Sequence, residues 1–252
     1  MKTPILAALT AAASLASFAS AHAQPGLANQ VYEPYVKKGV TEVELRAGRL
    51  NGGRLDGESG AVVELEHGFT DRFSLAVLGE FERHAGEKSK LDALAVEGVA
   101  YLGQIPGIGV DVGAYAEYEQ RIHNESGVLE GKLLLAKQSG PVQTLLNLIV
   151  ERPLTNRSDE RETEFGYAVQ STVAATPSVR VGLQAFGDLG TSGSFGGRQA
   201  HYLGPVARWE LHPAGLGKGE LELEAAYLAP LGTARRDTRS QVRVALEFEK
   251  RF

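Results

Sequence analysis

Few residues in this sequence stand at spacings that do chemistry. His123-Asn124-Glu125-Ser126-Gly127 brings together a base, a group that could orient it and a hydroxyl nucleophile, the ingredients of acyl transfer. A polar turn ending in glycine has the same composition, and that plainer reading is preferred. Carboxylates recur at i, i+2, as in Glu117/Glu119 and Glu222/Glu224, a spacing that could serve acid–base chemistry or hold a hard cation. The spacing repeats on several segments, so no pair stands out, and lining of an inner wall explains all of them. The six histidines form no ligand-spaced set, and GxGxxG, P-loop and GxSxG motifs are absent. No catalytic residue, metal site or cofactor is assigned.

The elements that must position these residues follow from composition and alternation. The chain has 252 residues, 43% hydrophobic and 23% charged, with a net charge of −5. Disorder, collagen and a disulfide scaffold are excluded, and the lack of basicity argues against a nucleic-acid partner. Met1-Lys2, the small apolar run Pro4 to Ser20 and the tripeptide Ala21-His22-Ala23 read as a secretory signal over 1–23. Residues 24–39 read as a periplasmic N-terminal segment, and 40–252 as one domain. The absence of cysteine leaves no disulfide, haem attachment or lipobox anchor. After the signal, the longest uncharged stretch is the 15 residues Phe165 to Val179, interrupted by Pro177. That is too short for a spanning helix.

Period-2 alternation organises the remainder. Arg239 to Phe252 places Val242, Val244, Leu246 and Phe248 on one face and Arg243, Glu247 and Glu249 on the other. The same opposition of apolar and charged faces recurs in Val40 to Gly48, Ala61 to Phe69, Phe73 to Glu82, Leu91 to Gly103, Val110 to Gln120 and Val128 to Gln138. It continues in Val142 to Glu151, Arg161 to Val173, Val179 to Asp188, Ala200 to Leu211 and Glu220 to Leu231. Twelve strands of this kind predict an all-β, antiparallel up-and-down transmembrane barrel. An even strand number, short turns on one side and longer polar connections on the other suit that fold. Pro205 lacks a ladder donor and predicts a bulge or a weak point in its strand. The terminal Phe252 resembles the C-terminal assembly signal of bacterial outer-membrane barrels.

Charge then sorts by face. Inward-phase strand positions hold 21 acids and 7 bases. The candidate lumen lining is Glu42, Glu44, Glu64, Glu66, Glu80, Glu117, Glu119, Arg180, Arg208, Glu222, Glu224, Arg243 and Glu247. Such a wall favours cationic or neutral solutes, because a low-dielectric boundary focuses its field. Alternatively, the carboxylates pair with Arg46, Arg180, Arg208, Arg243 and Arg251 and simply fill the interior. Outer-loop bases including Arg152, Arg157, Arg161, Arg235 and Arg236 could face lipopolysaccharide phosphates. Membrane lipid and the barrel-assembly machinery complete the expected partners. Twelve-stranded outer-membrane phospholipases carry an H-x-S-N-G order, from which His123 to Gly127 departs.

Two spans, ELEHGFTDRFSL from Glu64 to Leu75 and QAHYLGPV from Gln199 to Val206, resemble the outer-membrane barrels grouped as the MetA-pathway of phenol degradation (transporter-like) family. Their shared turn is here Gly68-Phe69-Thr70-Asp71-Arg72. The resemblance implies a barrel tied loosely to uptake of small, often aromatic compounds and supplies no site residues. The expectation is an outer-membrane channel or transporter for a small solute. The alternatives are a lipid hydrolase and a non-conducting structural barrel.

Overall fold

A computed structural model describes residues 26–122, 127–155, 162–212 and 219–251. The expected signal segment, Phe252, Arg157, Arg161 and His123 to Ser126 therefore lie outside the described residues. Twelve strands form: β1 Val40–Asn51, β2 Ser59–Thr70, β3 Phe73–Arg83, β4 Lys90–Ile105, β5 Val110–Arg121 and β6 Gly127–Ser139. They continue as β7 Val142–Leu154, β8 Glu164–Thr176, β9 Val179–Thr191, β10 Ala200–Leu211, β11 Glu220–Gly232 and β12 Ser240–Arg251. Each pairs with its sequence neighbours, and β1 pairs antiparallel with β12, closing the barrel. Closure removes every sheet edge, as a strand assembly in hydrocarbon requires. The rim where β1 begins and β12 ends is called the terminal rim below.

The two faces are inverted relative to a water-soluble sandwich. Leu65, Val77 and Leu183 are 48%, 55% and 57% exposed, whereas Glu44, Glu64 and Glu97 are 3%, 3% and 1% exposed. Side chains alternate across a strand, so this one phase sets lipid against lumen along the whole wall.

Several register irregularities refine the alternation, among them a gap at Pro205 and shifts between β3 and β4 and between β4 and β5. At Pro205 the β9–β10 register is unbroken, with Pro205 opposite Leu183. The β10–β11 ladder skips Gly204 and Pro205 but resumes in the same register at Val206 opposite Ala226. The proline thus makes a weak point and no bulge. Between β3 and β4 the register shifts at Glu80/Phe81, where Ala93 and Leu91 are the partners, so Asp92 is an extra residue. A further shift lies between Tyr101 and Gly103.

The interior is well filled on one side. Ala136, Leu145, Ala168, Phe186, Tyr202 and Leu228, from β6 to β11, belong to one buried cluster that also takes in Val31 from ahead of β1.

Candidate functional site

The segment 24–39, expected in the periplasm, has its described part inside the barrel. Gln241 on β12 donates to the Leu27 carbonyl at 3.2 Å. Ala28 packs with Val62, Leu78 and Ala95. Asn147 on β7 clamps the backbone of Tyr32, accepting from its N–H at 2.7 Å and donating to its carbonyl at 2.9 Å. At the terminal rim Lys37 meets Glu249 at 2.6 Å. The physical reason is burial: Ala28, Val31 and Tyr32 leave water for inner-wall clusters, while wall amides satisfy backbone groups that would otherwise be costly to bury.

Glycines on the inner phase make the room. A Cβ at Gly48 would collide with the Leu27 carbonyl, and one at Gly68 with the Lys37 carbonyl. A Cβ at Gly113 would lie 2.8 Å from Pro34 Cβ, and one at Gly60 would lie 3.1 Å from Leu27 Cβ. These inward glycines among carboxylates were the sequence signal for a segment packed against the wall. Alternation alone does not interpret them.

Tyr32 is the centre of the arrangement. Its hydroxyl accepts from Arg46 Nη1 at 3.1 Å and donates to Glu97 Oε2 at 3.2 Å. Arg46 Nη2 also reaches Glu64 Oε2 at 2.9 Å, and Glu44 lies 3.6 Å from Nη1. The Tyr32 ring tilts against Tyr115 with centroids 4.7 Å apart. Lys132 Nζ stands 4.1 Å and 4.0 Å from the two ring centroids and pairs with Glu130 at 2.8 Å. Both rings of this pair are therefore engaged by one ammonium, and cation–π attraction adds to ion pairing. The Tyr115 hydroxyl bonds Glu97 at 2.7 Å and also contacts Glu117.

Two cavities meet at this point. One, of about 390 Å³, is lined by Glu42, Glu44, Glu64, Glu66, Arg180, Arg208, Glu222, Glu224, Arg243 and Glu247. The other, of about 340 Å³, is lined by Glu80, Glu117 and Glu119 together with Asp92, Glu130 and Glu151. Asn29 and Tyr32 border both, so the inserted segment is the partition between them.

The bases take different roles. Arg208 holds Glu222 at 2.6 Å and Glu33 of the inserted segment at 3.1 Å. Arg180 instead bonds Thr172 at 3.0 Å. Arg243 stacks on Phe186, 4.0 Å from the ring centroid, and its Nη atoms have no hydrogen-bond partner. Filling by ion pairs thus accounts for Arg46 and Arg208 but not for Arg180 or Arg243. Sequence reasoning missed Tyr32, Glu33 and Asn147, whose roles depend on the inserted segment. It also missed Asp92, which the β3–β4 bulge turns toward the second cavity.

Comparison with known proteins yields no matching family and no matching curated protein. Solved structures do match in fold. The COG4313 outer membrane channel from Pseudomonas putida F1 superposes with a TM-score of 0.60 at 13% identity, over 86% of this chain and 97% of that one. The NanC porin gives 0.56 at 9% identity, over 83% and 100% of the two chains. A KdgM porin in complex with disordered oligogalacturonate gives 0.53 at 8% identity, over 84% and 99%. The chain shares the barrel fold of these outer-membrane proteins.

Proposed function

We propose that this chain is an outer-membrane conduit for a small solute, with an acidic interior that favours cationic or neutral species. The observation that carries this reading is the pair of acid-lined cavities, about 390 Å³ and 340 Å³, that share Tyr32 and Asn29 as their boundary. Carboxylates on a low-dielectric wall raise the local concentration of cations and repel anions. The inserted segment limits the bore to small solutes. Kinship in fold with channels and porins supports the reading. The turn Gly68 to Arg72 adds the resemblance to the transporter-like family, and with it uptake of small compounds. Membrane lipid, lipopolysaccharide facing Arg152, Arg235 and Arg236, and the barrel-assembly machinery belong to the same proposal as partners. The lipid-hydrolase alternative rests on His123 and Ser126, outside the described residues.

Planar-bilayer recording of the refolded barrel tests the reading. Small unitary currents with a reversal potential on the cation-selective side are expected under a potassium chloride gradient. A barrel that inserts yet shows no unitary current is a structural barrel, and the reading fails.

A further inference from the structure

We propose that Glu64, Glu66 and Glu97, with the hydroxyl of Ser74, form a binding site for one calcium-sized divalent cation in the inner wall. One carboxylate oxygen from each of the three glutamates lies within 4.8 Å of the others. Oxygens bound to a common calcium ion at about 2.3–2.6 Å stand up to about 5 Å apart, so this spacing lies within the reach of one ion. The convergence follows from register. Glu66 on β2 and Glu97 on β4 both sit opposite Ala76 of β3, so the two carboxylates approach over a small residue. Ser74 is two residues away on the same face of β3 and faces Glu66.

Two buried oxygens point independently to a ligand. Ser74 is 0% exposed and turns its Oγ toward Glu66, yet no hydrogen bond of good geometry satisfies it. Glu97 is 1% exposed, and while its Oε2 is held by Tyr32 and Tyr115, its Oε1 has no partner. Buried polar atoms of this kind are costly unless satisfied. A bound cation can take lone pairs from a hydroxyl oxygen and a carboxylate oxygen at once.

Charge agrees. Arg46 is shared between Glu64 and Glu44, and Lys132 is committed to Glu130. Among the described residues neither Glu66 nor Glu97 has a basic partner in an ion pair. The groups Glu42/Glu247/Glu249 and Glu80/Glu117/Glu119 also converge. The glutamates of those two groups are less buried than Glu64 and Glu97, and none of them holds a buried carboxylate oxygen without a hydrogen-bond partner. The inference depends on the barrel interior and not on solute passage, so its failure would leave the conduit reading standing.

The test uses the full chain refolded in zwitterionic detergent without lipopolysaccharide. Calcium is titrated by calorimetry, and terbium by luminescence excited through tyrosine, since the Tyr32 and Tyr115 hydroxyls both touch Glu97. One saturable calcium per barrel is expected, with terbium emission that calcium displaces. Glu97→Gln and Glu66→Gln should each weaken binding by about tenfold or more through loss of a charged ligand. Ser74→Ala should weaken it less, and Glu119→Gln should leave it intact. Folding of each variant is checked by heat-modifiable mobility; if Glu97→Gln does not fold, Glu66→Gln decides. No saturable binding at millimolar calcium, or binding indifferent to both decisive variants, or binding lost in Glu119→Gln instead, overturns the proposal.

Discussion

The two arcs of the inner wall are built on different principles. From β6 to β9 the inner wall has a neutral, tightly packed middle, where Leu134, Leu145, Asn147, Ala168, Gln184 and Phe186 are each 0–1% exposed, with Glu130, Lys132, Glu151 and Arg180 bordering the cavities around it. From β11 through β12 to β3 the inward positions carry Glu222, Glu224, Glu247, Glu42, Glu44, Glu64, Glu66 and Glu80, and they border the cavities. Both arcs have the same pleat and the same lipid-facing outside. The difference lies in what faces in. The neutral arc supplies shape and stability through dispersion and burial. The acidic arc gives up packing to keep a field. The inserted segment joins them, with its Tyr32 backbone clamped by Asn147 of the neutral arc and its hydroxyl held by Arg46 of the acidic arc and by Glu97 of the adjoining β4.

That contrast can be broken most severely on the packed side. Phe186→Ala removes a ring that is 1% exposed and also strips Arg243 of its stacking partner. A loss of about 3–5 kcal/mol is expected from cavity formation, read by urea unfolding followed through Trp209 fluorescence. A loss below about 1 kcal/mol would show that the arc is not a packed core. Behind the acidic arc, Leu65→Arg puts a charge on the lipid side near mid-strand and should cost about 2–4 kcal/mol, seen as impaired heat-modifiable mobility. Glu64→Gln, one residue away but facing inward, should assemble normally. Equal tolerance of the two would mean that the faces are reversed.

Smaller effects sharpen the electrostatic half. Glu42→Gln combined with Glu247→Gln should move the reversal potential toward zero with little change in stability. The same double loss of polarity on the neutral arc, Gln170→Leu with Gln184→Leu, should leave selectivity nearly unchanged. Tyr32→Phe deletes one hydroxyl but keeps the ring and the Asn147 clamp. A cost of about 1 kcal/mol is expected, with somewhat noisier currents. Unaltered noise and stability would show that the clamp alone holds the segment.

Much of the barrel was legible because its signal is local. Alternation in β1, β2 and β12 names the lipid face and the lumen face residue by residue, and short turns such as Asp71-Arg72 pair consecutive strands. Legibility stopped where the phase slips. Asp92 reads as off-phase until the β3–β4 register shift turns it inward. It stopped again at Gly26 to Gly39, because a segment with no period of its own carries no mark of what it packs against. Gly48, Gly68 and Gly113 hinted at a close approach without saying by what.

By itself the sequence determined the class of the protein: twelve alternating strands, apolar outside and acidic inside, with no helix or thiol chemistry to compete. That follows from a period of two and from the cost of a charge in hydrocarbon, both readable one strand at a time. Only the tertiary structure decided how the inside is used. Closure of β1 on β12 brings Arg46, Glu97 and Asn147 from three separate strands onto one tyrosine ahead of the first strand. Contacts across a lumen depend on strand register, shear and bulges summed around the whole barrel, and no local pattern carries that sum.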